Sequence, residues 1–400
     1  MTNPPVSDAI LSRRRWLDIS ATGLFAGMAA PAVGNAAEQK TDGKQRRVHT
    51  ASPHNAEPHL QHLVNSWETP FEQFYVRSHA PVPEVDLNSF RLTVEGMVDR
   101  PLSLTIAELA DRFRRTEVTA TMTCAGNRRS EHSLVKKVGG VPWAAGPIGN
   151  ARWSGVRLAD ILSSAGVQTG AKHVWFESID QIVKNDDTFP FGASIPLDKA
   201  MEITGLGNAT LLATGMNGRP LPPDHGYPVR TVVPGYIGAR SVKWLGRIVV
   251  SDRPSDNHYI AKAYKLVTEG TDEEWSEADP IYSFPVNSVI CTPGRDSDLK
   301  KGVVSIQGYA LPGGHPGRTI RRVEVSTDGG NLWQPARLTS PPREFCWTLW
   351  NARVDVNPSI TGLMVRAIDS AGDMQPQTVD WNLKGYLFNA WYRTPVTVGT

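Results

Sequence analysis

Thr121-Met122-Thr123-Cys124-Ala125-Gly126-Asn127-Arg128-Arg129 closes a β-branched and apolar run that begins at Val118. Such a run reads as a strand, and Ala-Gly-Asn is turn chemistry, so Cys124 is placed where a strand ends. Arg128 and Arg129 then face whatever the sulfur faces. A thiolate persists at neutral pH only beside positive charge or a metal, and the two arginines could supply the first. Taken alone, the segment allows a reactive thiol, a metal thiolate or an inert buried thiol, the last being the commonest fate of a cysteine.

Outward from this strand the pattern mixes short strands with helices. Residues 90–98 alternate apolar and polar, while 105–115 and 157–165 carry helical periodicity, giving an α+β unit from about residue 54 to 265. Beyond Lys265 the texture changes. Short alternating segments at 303–309, 321–326 and 362–368 are separated by turns at 312–314, 328–330 and 371–373, and no comparable helix is expected. This spacing predicts an immunoglobulin-like β-sandwich over residues 266–400.

A length of 400 residues suits two such units after a leader. Ser12-Arg13-Arg14-Arg15-Trp16-Leu17, followed by a weakly apolar stretch to about Ala32 and small residues to Ala37, reads as a twin-arginine export signal over residues 1–37. The stretch is shorter than the ~20 residues a membrane span needs. Residues 38–53, polar and rich in Lys and Arg, read as a flexible lead-in. Export of prefolded chains fits a periplasmic protein with a bound cofactor.

The net charge of +2 gives no global steering toward nucleic acid or an acidic membrane. Any anion preference must be local. Three widely spaced cysteines exclude a disulfide scaffold and a structural zinc site, and sequence alone does not pair Cys291 with Cys346.

Two further clusters supply local charge. Phe74-Tyr75-Val76-Arg77-Ser78-His79-Ala80-Pro81 joins an Arg and a His to a Pro-fixed turn, and Pro222-Pro223-Asp224-His225-Gly226-Tyr227-Pro228-Val229-Arg230 leads on to Gly238-Ala239-Arg240-Ser241-Val242-Lys243-Trp244-Leu245. Gly and Pro fix such backbones while Arg, His and Lys offer donors to an anion. Singly, each is more often an ion-paired surface loop.

In this order the segments resemble the sulfite oxidase family, from about residue 55 to 395. The resemblance implies a molybdenum–molybdopterin cofactor held by Tyr75, Val76, Arg77, Ser78, His79, Asp180, His225, Arg230, Ser241, Val242 and Lys243. Cys124 then stands where the family has its metal thiolate, a soft ligand suited to such a metal. Arg77, Arg129, Trp143, Tyr259, Tyr264 and Lys384 fall at or near positions of the family's anion pocket. Tyr259 replaces the Trp of animal relatives, and Lys384 their Arg, exchanging a planar fork for a point charge.

The implied activity is oxidation of sulfite to sulfate in the periplasm. No Cys-x-x-Cys-His haem motif is present, so a separate periplasmic cytochrome c is the implied acceptor. The sandwich, at the place of the family's dimerisation domain, implies a homodimer. Alternatives are another oxo-transfer on the same fold, reducing nitrate or methionine sulfoxide, and a metal-free binding protein.

Overall fold

The computed structural model describes residues 45–202 and 209–400. The twin-arginine segment lies outside them. Within the expected lead-in, Arg46–Thr50 is a strand paired antiparallel with Asn55–Pro58, so this folded region starts earlier than the sequence pattern suggests. Polar residues hid it: His49 and Glu57 bury as a pair, which no apolar periodicity reports.

The first half holds two larger sheets. One runs Gly192–Pro196, His173–Ser178, Leu245–Ser251, Leu92–Gly96, Leu102–Leu104, with a parallel pairing between Leu245–Ser251 and Leu92–Gly96. Alternate residues such as Val94, Val174, Phe176 and Ile248 are fully buried, each contributing about 1.5–3 kcal/mol of apolar transfer. The helix Ile106–Arg112 starts at a Thr105/Glu108 capping box. The helix Leu158–Ala165 buries Leu158, Ile161, Leu162 and Ala165 at helical spacing against the same core and stops at Gly166, whose φ is +73°.

The second sheet carries the cysteine. Arg115–Thr123 pairs with Ile148–Arg157, and Leu211–Met216 pairs with Ile148–Arg157 and with Arg230–Val232. Cys124 follows the last strand residue, as expected.

The second half is a sandwich of a four-stranded sheet (Asn287–Thr292, Gly302–Leu311, Thr348–Val356, Arg337–Leu338) and a five-stranded sheet (Ser297–Leu299, Tyr392–Val398, Gly362–Asp369, Ile320–Ser326, Gln334–Pro335). One element was not expected: Asp272–Glu277 is a short helix, capped by the Thr271 hydroxyl, which accepts from Glu274 N–H at 3.2 Å. Its six polar and aromatic residues are too few to show a period.

The halves interlock behind the cysteine. Phe345 O accepts from Thr121 N–H at 2.8 Å, Thr121 Oγ1 accepts from Trp347 N–H at 2.8 Å, and Tyr309 Oη donates to Ala145 O at 2.8 Å.

Candidate functional site

Cys124 forms part of the wall of a partly open cavity, together with Tyr75, Arg77, His79, His225, Arg230 and Lys243. Its N–H donates to Pro147 O at 2.9 Å, and its sulfur accepts from Gly126 N–H at 3.4 Å. The side chain is 7% exposed. Sulfur is thus presented at the end of a rigid strand, with only its tip open to the cavity.

Facing it is a concentration of cationic groups with little compensating charge. Arg230 spends its donors on neutral acceptors, His225 O and Ser241 O (both 2.9 Å) and Met122 Sδ (3.2 Å), and burial pushes its pKa down to about 10. Lys243 Nζ donates to Ser78 Oγ (2.7 Å) and Asp224 O (2.9 Å), and burial brings it down to about 7. His225 is held at about 3 by burial, with Arg46, Lys243 and Arg230 adding to the effect against Asp224. Burial, then the charges of Arg77 and Lys243, keep His79 well below the ordinary imidazole range, and its Nε2 accepts from Arg77 Nη2 at 2.7 Å.

Two carboxylates line the same space. Burial opposes ionisation of Asp224, but the hydrogen bond and charge of His54, 2.8 Å away, outweigh it and hold the acid at about 2. Asp180 accepts from Phe191 N–H at 2.7 Å, and burial raises its pKa. Neither salt-bridges Arg230, and desolvated cations without carboxylate partners are stabilised by a bound anion.

This donor set suits a phosphorylated pterin bearing a metal. Arg230, Lys243 and Ser241 offer the donors a phosphate needs, and one thiol, Cys124, is available to a soft metal. Among the described residues no three His, Cys, Asp or Glu cluster so as to hold a metal ion.

The structure gathers Tyr75, Arg77, Ser78, His79, Cys124, Asp180, His225, Arg230, Ser241, Lys243 and Tyr264 around one cavity. Val76 and Val242 are buried and do not line it. Tyr259 is also a step back, packed on His79 at 4.3 Å and Phe191 at 4.5 Å between ring centres. Arg129 lies outside the lining; its Nε donates to Lys384 O (2.8 Å) and its Nη1 to Val141 O (2.9 Å), over the Tyr386 ring. Lys384 turns its ammonium toward the Trp275 ring, 5.5 Å from the centre. Trp143 is wholly buried against His49, with its indole N–H unpartnered.

Arg128 corrects a sequence expectation. It does not face the sulfur: it takes a left-handed φ of +66°, and its guanidinium binds Glu131 at 2.6 and 2.8 Å, Asn287 Oδ1 at 2.8 Å and Ala390 O at 2.7 Å. It joins the two halves. Phe74, Met122, Ser178, Phe191, Asp224 and Trp244 also line the cavity and were not singled out. Phe74, Met122, Asp224 and Trp244 stood inside quoted motifs, while Ser178 and Phe191 lie in a strand end and a loop with no chemical signature.

Comparison with known proteins follows the same division of the chain. Residues 79–259 match the model of the oxidoreductase molybdopterin binding domain, and residues 278–399 that of the Mo-co oxidoreductase dimerisation domain. Sulfite oxidase of Gallus gallus is 42% identical over 87% of the chain and 77% of its own length. Sulfite oxidase of Arabidopsis thaliana is 40% identical over 88% of the chain and 94% of its own. The chain spans 62 to 66% of the mammalian and fly sulfite oxidases. Nitrate reductase of Hordeum vulgare is 37% identical, with 41% of its length covered. Among solved structures, the sulfane dehydrogenase SoxCD of Paracoccus pantotrophus superposes with a TM-score of 0.73 at 26% identity, covering 94% of this chain and 96% of the other.

Proposed function

Because the chain belongs to the sulfite oxidase family of molybdenum–molybdopterin oxidoreductases, we propose that it oxidises sulfite to sulfate in the bacterial periplasm and passes the electrons to a separate cytochrome c. One observation carries the reading: a lone thiol, Cys124, shares a cavity with Arg77, Arg230 and Lys243, none of which salt-bridges a carboxylate among the described residues. The relatives named sulfite oxidase, similar along most of the chain, support it.

Arg230, Lys243, Ser241 and His225 would hold the cofactor's phosphate and pterin, and Cys124 its metal. The bound cofactor supplies the two-electron redox change and the oxygen that sulfite acquires. The chain's own groups bind and orient the substrate. Arg77 donates to Asn55 Oδ1 at 3.1 Å, to Ser78 O and to His79, all neutral, so its charge stays available to an oxyanion. Tyr264 Oη stands 3.4 Å from His79 Nε2, and burial pushes its pKa up, so the phenol keeps its proton and can donate. Arg129 and Lys384, behind this wall, would add attraction for the dianion at longer range.

Location rests on the Arg13-Arg14-Arg15 motif, and a homodimer on the match to a dimerisation domain. Nitrate reduction is the second reading, favoured by the similarity to a nitrate reductase. Purified protein should contain molybdenum and reduce cytochrome c with sulfite, while reduced dye plus nitrate gives little turnover. The reverse preference would replace this reading with the second, and protein free of molybdenum from a cofactor-competent host would favour a metal-free binder.

A further inference from the structure

The strand Asn55–Pro58 has no part in the motifs above and lies before the matched domains, yet two of its side chains bind segments next to the cavity: Asn55 holds Arg77 and Ser78, which line it, and Glu57 holds the 144–146 loop behind the cysteine segment. Asn55 and Glu57 are two residues apart, so they leave one side of the strand. Both are buried, each 2% exposed. Asn55 Oδ1 accepts from Arg77 Nη1 and from Ser78 N–H, each at 3.1 Å, while its Nδ2 donates to Thr50 Oγ1 (2.8 Å) and Pro53 O (2.9 Å). Every polar atom of that amide is engaged.

Glu57 serves the loop behind Cys124. Its Oε1 accepts from Ala144 N–H at 3.0 Å and pairs with His49 Nε2 at 2.8 Å, and its Oε2 accepts from Gly146 N–H at 3.0 Å. The loop so gripped is the template for the cysteine segment. Its carbonyls at Pro147, Ala144 and Trp143 accept from the N–H groups of Cys124 (2.9 Å), Arg128 (2.7 Å) and Ser130 (2.9 Å), and Val141 O accepts from Arg129. Gly146 sits so close that an added Cβ would lie 2.8 Å from Glu57 Oε2 and 2.7 Å from Pro58 O.

We infer that Asn55 and Glu57 are positioning residues, and that their strand is a bracket holding the Arg77 guanidinium in register with the Cys124 sulfur. Asn55 acts through Arg77 on substrate binding, and Glu57 acts through the 141–147 loop on the sulfur. The inference rests on Cys124 ligating the metal and Arg77 meeting the anion. A merely structural strand would lower both functions together. A bracket splits them.

The test uses molybdenum-loaded enzyme and reads kcat, KM for sulfite and the thiolate-to-metal absorption band, which needs no substrate. Asn55→Ala is expected to raise KM about tenfold with kcat within about threefold and the band unmoved. Glu57→Gln, which presents an amide donor to amide N–H groups, is expected to lower kcat about tenfold and shift the band with KM within about threefold. Changes of the same kind and size in both variants, or none beyond about twofold in either, overturn the bracket. Should Glu57→Gln not accumulate as folded protein, His49→Leu, which removes one of three donors to Glu57, decides by the same readings. Loss of the band in Cys124→Ser checks the ligand assignment. If that band persists, or wild type does not oxidise sulfite, alkylation of Cys124 by iodoacetamide in metal-free protein decides instead: about tenfold faster in Glu57→Gln and unchanged in Asn55→Ala supports the bracket, and equal rates in all three proteins overturn it.

Discussion

Lys243→Met, examined in protein made without cofactor, tests whether the cationic wall is a cost that the bound anion removes. In the folded chain burial brings the Lys243 ammonium to about 7, whereas in the unfolded chain it titrates near 10.4. Between those values the unfolded state carries the proton and the folded state does not. Stability from this group therefore rises with pH across the window and is flat below pH 7, where both states are charged. Moving from pH 7.5 to 9.5 should stabilise the wild type by about 2.5 kcal/mol through Lys243 alone, at 1.36 kcal/mol per unit. Methionine keeps the length and cannot titrate, so its difference from wild type isolates the group from every other titration. Urea unfolding at both pH values, with the slope checked for constancy, gives the four free energies. Curves that rise in parallel, to within about 0.5 kcal/mol, would refute the account of a desolvated cation. In cofactor-loaded protein the phosphate keeps the ammonium charged, and the difference between wild type and variant should lose its pH dependence.

Other consequences are equally concrete. Cys124→Ser should remove the thiolate-to-metal band and sulfite-dependent cytochrome c reduction while thermal unfolding changes little; normal turnover would take Cys124 out of the mechanism. Arg77→Gln should raise KM for sulfite at least about tenfold, because among the described residues no carboxylate pairs with its charge, and an unchanged KM argues against a substrate contact. Gly226→Ala should strip cofactor from the protein. Gly226 has a φ of +105°, and an added Cβ would lie 3.0 Å from Lys243 Cβ and 3.1 Å from Arg230 Cβ, displacing both cations; molybdenum content by mass spectrometry near the wild-type level would contradict this.

The α+β half and the sandwich were legible because their strands and helices bury one face each. Residues 90–98 read as alternating and hold the strand Leu92–Gly96 with Leu92 and Val94 buried, and Leu158, Ile161, Leu162 and Ala165 recur at helical spacing. The Arg46–Thr50 strand and the Asp272–Glu277 helix escaped because neither is held by an apolar stripe. His49 buries against Glu57, and that pairing depends on a loop far along the chain.

The site divides along the same line. Sequence by itself determined that a cysteine ends a strand, that Gly and Pro shape two basic segments, and that those segments resemble one cofactor family. These are properties of neighbours in the chain, where dihedral preference and side-chain chemistry act locally. Only the tertiary structure decided which charges meet the sulfur. Arg128 and Arg129 are four and five residues from Cys124, yet one pins the sandwich and the other a loop, whereas Arg230, more than a hundred residues away, shares the cavity. Charge interaction depends on distance and burial through space, and a turn with φ of +66° at Arg128 is enough to send a neighbour elsewhere.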